Sequence, residues 1–97
     1  MDLLLLAAVR ARPAHGYAII ENLRLRSGGN FELPEGTVYP ALHRLERAGL
    51  LKSRWSQASG RRRTYEVTEK GLTELRARER DWREFSRAVE DVLEGAT

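Results

Sequence analysis

The sequence predicts a mainly α-helical fold with one small β-hairpin and a long helix at its carboxy-terminal end. Apolar residues recur at helical spacing in four separate segments, whereas one stretch between the third and the fourth alternates in twos. Glycines and prolines lie at the boundaries of these segments. Of the 97 residues, 41% are hydrophobic and 32% are charged, which is the composition of a single folded domain rather than of a disordered chain.

The first helix is predicted over residues 2–11, because Pro13 disfavours helical backbone angles in the residue before it. Its apolar run, residues 3–9, resembles the core of a signal peptide. The run is short, however, and it follows an aspartate and leads into two arginines, so we expect a buried first helix instead. Every apolar stretch is shorter than the roughly 18 residues that a membrane-spanning helix needs.

The second helix is predicted over residues 15–27 and ends at the sequence Gly-Gly-Asn that follows it. The residues expected to face the interior are Tyr17, Ile19, Ile20 and Leu23. His15 and Tyr17, in the sequence "HGY", are interpreted as packing and capping residues.

The third helix has one apolar stripe and an unusual start. The stripe, at positions i, i+3, i+4, i+7 and i+10, consists of Val38, Ala41, Leu42, Leu45 and Ala48. Gly49 is expected to end the helix in a left-handed conformation. Two helix starts are compatible with a proline at position 40. Either Thr37 is the N-cap, or the helix begins at Pro34 and Gly36 relieves the clash beneath Pro40.

A β-hairpin is predicted next, from the alternation over residues 51–55 and 63–67. The polar turn between these strands contains Gly60. Trp55 and Tyr65 are expected in the core of the hairpin.

The last helix is predicted from Thr68, its N-cap, to about Leu93. A helix of about 25 residues is roughly 37 Å long, more than a domain of about 70 residues can cover. Its far half would expose an apolar strip unless a second chain covers it. Residues 1–67 and 68–97 are therefore predicted to be two parts of one compact unit, the second of which is a dimerisation helix. The predicted dimer interface consists of Leu75, Trp82, Phe85, Val89, Val92 and Leu93.

The positive charge is concentrated in the hairpin. Residues 50–67 carry a net charge of +4, whereas residues 1–49 carry +1 and residues 68–97 carry −2. This distribution indicates one contact with a polyanion.

The outward face of the third helix suits a DNA groove. Gly36, Pro40, His43 and Arg47 point away from the apolar stripe, and this face is slim at its start and basic further along. A recognition helix followed by a basic hairpin is the winged helix-turn-helix arrangement, so residues 1–67 are the predicted DNA-binding domain. The candidate DNA-contacting residues are Thr37, Tyr39, Pro40, His43, Arg44, Arg47, Lys52, Arg54, Arg61, Arg62 and Arg63.

Several of these residues have a second interpretation. In the second interpretation, Tyr39 packs on the hairpin, and Arg47 forms an exposed ion pair with Glu46 or Glu21. Arg63 is the wing arginine best placed to turn inward and stabilise the hairpin. His43 could also act as a pH-sensitive group.

Three motifs in this order, "HGYAIIENL", "GTVYPALHRLERAGLL" and "GRRRTYEVTEKG", resemble the PadR family of transcriptional regulators. The resemblance covers roughly residues 3–75. It implies a homodimeric repressor whose third helix reads double-stranded DNA, whose wing touches the DNA backbone and whose last helix pairs with its twin. It also makes a flat pocket for a small-molecule effector, lined by Trp82 and Phe85, conceivable; the interpretation preferred for Trp82 is that it belongs to the core of the dimer interface.

Other classes of function have less support in the sequence. The absence of cysteine excludes disulfides and thiolate zinc sites and suits a cytoplasmic location. His15 and His43 lack ligand spacing, so neither a metal nor another cofactor is expected. No nucleophile and base have the arrangement of an enzyme. The alternative kept open is a winged-helix module that binds a protein partner and no DNA.

Overall fold

The computed structural model describes residues 1–56 and 62–95. The elements follow the order α1 (Asp2–Ala11), β1 (Ala14–His15), α2 (Gly16–Arg26), α3 (Glu35–Arg47), β2 (Leu51–Ser56), β3 (Arg62–Val67) and α4 (Glu69–Leu93). The strands form an antiparallel sheet in the order β1-β3-β2. The mainly α-helical fold with a hairpin and a long last helix is confirmed, and no helix in the described ranges could cross a membrane.

The core forms where α1 packs against the other helices and β3. The central apolar residues of α1 and four residues of the predicted stripe of α3, Val38, Ala41, Leu42 and Leu45, are buried, as the periodicity predicted. Ala48, the fifth residue of that stripe, is exposed, because α3 ends at Arg47 and Ala48 is its C-cap. Tyr65 of β3 closes the core on the side of the hairpin and is also fully buried. The largest fully buried side chains are Tyr65, Leu5, Leu6, Ile19, Leu42, Leu45, Leu51, Leu75, Val9 and Val38.

Two aromatic residues expected inside lie outside. Tyr17 is 58% exposed, because α2 buries Ile19 and Leu23 and a residue two positions before Ile19 lies on the other side of a helix. Trp55 is 61% exposed. It shares a face of β2 with buried Leu51 but lies nearer the tip of the hairpin, beyond the core.

The strand β1 was missed by the sequence prediction, because two residues are too few to show an alternating pattern. Ala14 pairs with Tyr65 and His15 pairs with Thr64, both on β3. The sheet therefore fixes the start of α2 against the wing.

Of the two predicted starts for α3, the structure has the earlier one. Pro34 is the N-cap, and its carbonyl accepts from the N–H groups of Thr37 and Val38 at 3.0 Å each. Pro40 therefore lies inside the helix, four residues after Gly36. A side chain on Gly36 would meet nothing within 4 Å, so glycine is not needed at this position to relieve a clash with Pro40, and this part of the helix is slim and open to solvent.

The end of α3 is joined closely to the start of α4. Gly49 has a φ of +80°, as predicted for the residue that ends α3. Thr68 caps α4 by accepting from Gly71 N at 3.0 Å, and its hydroxyl donates to the Gly49 carbonyl at 2.6 Å. Gly71 lies so close to the Leu50 carbonyl that a Cβ there would collide with it. The chain therefore needs glycine in a turn of α4 where helix propensity alone disfavours it.

Candidate nucleic-acid interface

The face of α3 that points away from the core is solvent-exposed along its whole length. Val38, Leu42 and Leu45 on the opposite face are fully buried, so the orientation of the helix is fixed by the core. The exposed residues of α3 that were predicted to contact DNA are Thr37, Pro40, His43, Arg44 and Arg47.

Tyr39 is half-buried at one edge of this face. Its ring lies directly against Gly16, the first residue of α2, where a Cβ would collide with the ring. The aromatic ring therefore packs on the start of α2, a contact that neither sequence interpretation included. Glycine at position 16 permits this close approach, because a Cβ there would displace the Tyr39 ring.

Arg44 is already engaged in an ion pair. Its guanidinium donates to both carboxylate oxygens of Asp2, at 2.6 and 3.1 Å. The hydrogen bonds from Arg44, together with the positive charges of Arg44 and Arg78, lower the pKa of Asp2 against the opposing effect of its burial. Arg44 thus bridges α3 to the amino-terminal end of α1.

Arg47 and His43 are exposed on the same face. The carboxylates considered as partners for Arg47 accept from other groups: Glu21 from Arg24, and Glu46 from Ser53. The structure therefore contains neither of the ion pairs considered for Arg47.

The wing presents Lys52, Arg54 and Arg62 to solvent. Arg54 lies 3.5 Å from Glu66 on the neighbouring strand, in a pair that is largely solvent-exposed and therefore weak. Arg61, also predicted to contact DNA, lies outside the described residues.

Arg63 is held within the wing. Its guanidinium donates to Ser53 Oγ at 3.3 Å, lies 3.6 Å from Glu46, and stacks 4.9 Å from the centre of the Trp55 ring. These contacts agree with the interpretation that Arg63 stabilises the hairpin. They also give the exposed Trp55 a role as the platform on which this arginine lies.

A groove joins α3 to the wing and to the start of α2. It is lined by His15, Gly16, Tyr17, Glu35, Tyr39, His43, Trp55, Arg62, Arg63 and Tyr65. Most of the polar groups in this lining are hydrogen-bond donors, and Glu35 is the acidic member of the set. The groove therefore continues the exposed face of α3 toward the basic hairpin.

His15 lies at the centre of that junction. Its Nδ1 accepts from Ala18 N at 3.2 Å, which confirms the predicted capping role, and its Nε2 lies 3.1 Å from Arg62. Its burial, and secondly the charge of Arg62, lower the pKa of the imidazole. No sequence pattern predicts the proximity of His15 to Arg62, because that proximity depends on the pairing of β1 with β3.

The far half of α4 is uncovered in the single chain. Trp82 is 55% and Phe85 63% exposed, and their tilted rings lie 6.2 Å apart. Val89, Val92 and Leu93 continue the strip, and together with Phe85 and Ala88 they line a shallow apolar depression. Trp82 lies outside the lining of this depression.

Leu75 was predicted at the dimer interface, and that prediction is wrong. Its side chain is fully buried in the core of its own subunit, on the part of α4 that packs against α1. A fully buried side chain has no surface to offer a partner. Within residues 1–56 and 62–95, no group of three or more histidines and carboxylates could hold a metal ion.

Comparison with known proteins gives consistent results. The sequence profile described as "Transcriptional regulator PadR-like family" matches residues 5–77. The chain is 38% identical over 76 residues to the transcriptional regulator Rv3488 of Mycobacterium tuberculosis, covering 77% of this chain and 68% of that protein. A PadR family transcription regulator from Clostridium difficile superposes with a TM-score of 0.83 at 32% identity, over 95% of this chain and 96% of that one. A PadR family regulator from Eggerthella lenta gives 0.84 at 35%, over 96% and 80%.

Proposed function

This chain belongs to the PadR-like family of transcriptional regulators, and we propose that it acts as a homodimer that represses transcription by binding a pseudo-palindromic operator. Membership of the family makes it a transcriptional regulator and not an enzyme. In the proposal, residues 1–67 bind double-stranded DNA and residues 68–97 hold two copies together. The cytoplasm, where a regulator reaches the chromosome, is the proposed location.

One observation carries the proposal: His43 on the exposed face of α3 and Arg62 on the basic wing line the same groove. The opposite face of α3 is buried, so the core holds the helix with its slim, polar side outward. A helix of this kind enters the major groove, while a neighbouring hairpin follows the backbone. Both elements can therefore contact one duplex together.

In the proposal, the predicted contacts form two groups, one on α3 and one on the wing. Thr37, Pro40, His43 and Arg47 form the exposed face that meets base edges and phosphates. Tyr39 is braced by Gly16 at the edge of this face. The phosphate contacts of the wing are assigned to Lys52, Arg54, Arg61 and Arg62.

Arg44 and Arg63 differ from the others because each has a protein partner. Arg44 must exchange Asp2 for a phosphate in order to contact DNA. Arg63 shapes the wing through Glu46 and Trp55, and its proposed effect on DNA binding is therefore mainly indirect.

The apolar strip on α4 supports the homodimer. Trp82, Phe85, Val89, Val92 and Leu93 expose apolar surface on one helix, which a second copy of the same helix would bury. Two-fold pairing would also place two recognition helices at half-sites about one turn of DNA apart. A small-molecule effector that releases the DNA is proposed to bind between the copies, beside Trp82 and Phe85.

Selection of bound duplexes from a random pool tests this function. We expect enrichment of an inverted repeat whose half-sites lie about one helical turn apart, with binding that weakens steeply as salt rises. Enrichment of a single half-site would contradict the dimer. No enrichment, together with capture of an acidic protein in the presence of nuclease, would favour the protein-binding module instead.

A further inference from the structure

The imidazole of His15 lies between two hydrogen-bond donors. Its Nδ1 is 3.2 Å from the backbone nitrogen of Ala18, and this contact caps α2. Its Nε2 is 3.1 Å from a guanidinium nitrogen of Arg62 on β3. The backbone pairing of His15 with Thr64 holds the imidazole at the wing.

A neutral imidazole cannot accept from both neighbours, because it has one N–H and one lone pair. If Nδ1 accepts from Ala18, Nε2 carries the proton and faces the N–H groups of Arg62. If Nε2 accepts from Arg62, the proton on Nδ1 faces the N–H of Ala18 and the cap is lost. If the Arg62 side chain moves aside, an acceptor oxygen can bridge Nε2–H and the guanidinium, which resolves the conflict and keeps the cap.

We propose that a phosphate oxygen of the DNA backbone binds at this position, accepting from His15 Nε2–H and from the Arg62 guanidinium. This inference rests on the proposed function and adds to it a contact residue that lies in neither α3 nor the hairpin. Phosphate suits the site because it is an anionic acceptor, and hydrogen bonds to such an acceptor are stronger than neutral ones. Contacts of this kind fix the register of a protein on DNA.

The surroundings of the site favour an anion. The ionisable groups that line the grooves on either side of His15 are Arg12, Tyr17, Glu21, Arg26, Glu35, Tyr39, His43, Arg62, Arg63 and Tyr65. The arginines in this set outnumber the glutamates, and Glu21 is neutralised by Arg24. The site also lies at the first turn of α2, beside the exposed Tyr17, where the helix dipole favours negative charge.

The site works with a neutral imidazole. Burial and the charge of Arg62 lower the pKa of His15, which favours the uncharged form. In that form Nδ1 keeps the lone pair that caps α2, and Nε2 keeps the proton that the phosphate accepts. A protonated ring would lose the cap.

Two substitutions separate the cap from the phosphate contact. His15→Asn places an amide oxygen where Nδ1 caps α2, but the side chain ends short of the Nε2 position. His15→Gln carries a donor to the Nε2 position and lacks the cap. Binding is measured by fluorescence anisotropy with a mixed-sequence duplex of about 30 base pairs at low salt, since phosphate contacts do not depend on sequence.

We expect His15→Asn to melt near the temperature of the parent chain and to bind the duplex about 5- to 10-fold more weakly. We expect His15→Gln to melt at a lower temperature but to bind within about twofold of the parent chain, because the donor to the phosphate remains. If His15 had only a structural role, His15→Gln would bind the duplex more weakly than His15→Asn.

The salt dependence gives a second readout. Arg62→Ala removes a charged phosphate contact, so affinity falls about tenfold and the slope of log affinity against log salt becomes shallower by about one. His15→Asn leaves that slope unchanged, because a neutral imidazole displaces no counterion. The double variant loses less than the two single losses combined, because both groups hold the same phosphate. Arg87→Ala, an exposed charge on α4, is the control for loss of net charge and keeps the affinity of the parent chain.

The inference is overturned if the parent chain binds the duplex and His15→Asn binds it equally well. It is also overturned if millimolar inorganic phosphate, followed through the imidazole ¹⁵N resonances, saturates the site while duplex DNA leaves those resonances unchanged. Absence of duplex binding by the parent chain defeats the proposed function itself, and that outcome is seen before any variant is compared.

Discussion

The Arg44 guanidinium donates to both oxygens of the Asp2 carboxylate, at 2.6 and 3.1 Å, and so ties the exposed face of α3 to the first residue of α1. Arg78 of α4 lies 3.7 Å from the same carboxylate. One acidic side chain therefore connects three helices, among them the proposed recognition helix and the proposed dimerisation helix.

Asp2→Asn should lower the melting temperature at neutral pH by about 2–4 °C, a small effect because the arginine partner is half-exposed. Hydrogen bonds from Arg44, followed by the charges of Arg44 and Arg78, hold the pKa of Asp2 below its ordinary value. The ion pair thus stabilises the fold above the ordinary carboxyl pKa, and this stabilisation is lost as the pH falls through the lowered value. The melting temperatures of the parent chain and of Asp2→Asn should therefore converge in acid. Asp81→Asn, an exposed carboxylate, should show no such difference.

The same substitution should affect DNA binding in the opposite direction. If Arg44 exchanges Asp2 for a phosphate, the Asp2 carboxylate competes with DNA for the guanidinium. Asp2→Asn removes this competitor and should bind DNA about 2- to 5-fold more tightly. Anisotropy titrations of the parent chain, Asp2→Asn and Asp2→Asn/Arg44→Ala measure this. Tighter binding that persists in the double variant would show that Arg44 is not the source.

Gly71→Ala should destabilise the fold although alanine is the better helix former. A methyl group at Gly71 would collide with the Leu50 carbonyl, and this oxygen belongs to the backbone that joins α3 to the wing. Overpacking of this kind costs about 1–3 kcal/mol or more in the free energy of unfolding. Urea denaturation of both chains measures the change. An unaltered midpoint would show that α4 can shift away from Leu50 without cost.

Residues on the two halves of α4 should respond differently to truncation. Leu75→Ala opens a cavity in the core and should cost about 2–5 kcal/mol of stability. Phe85→Ser alters exposed surface, so the subunit should keep its fold while the proposed dimer dissociates at higher concentration. Sedimentation velocity over a range of concentrations measures the association. A monomeric parent chain would contradict the proposed dimer interface.

The sequence predicted those parts of the fold whose signal is local. The bounds of α1, the cap at Thr68 and the turn at Gly49 each depend on residues a few positions apart, and all three were confirmed. Periodicity also located the buried residues Val38, Ala41, Leu42 and Leu45 of α3.

The parts of the site that sequence reasoning missed depend on distant residues. Tyr39 packs on Gly16, Arg44 reaches Asp2, and His15 meets Arg62 across 47 positions. No pattern in a single sequence records such pairs. Leu75 was misassigned for a related reason, since an apolar residue on a long helix does not reveal whether its own subunit or a partner covers it.

Gly36→Ala should separate stability from DNA binding on the proposed recognition helix. Nothing lies within 4 Å of a Cβ at this position, and alanine favours the helix, so the free energy of unfolding should rise by about 0.5 kcal/mol. The added methyl group points outward beside Thr37 and Pro40, where the proposal places the floor of the major groove, so binding of the selected operator should weaken about tenfold. Gly28→Ala also lies in open space but off this face, and it should leave DNA affinity unchanged while straining a residue with a φ of +63°. Equal operator affinity in Gly36→Ala and the parent chain would show that the start of α3 does not closely approach DNA.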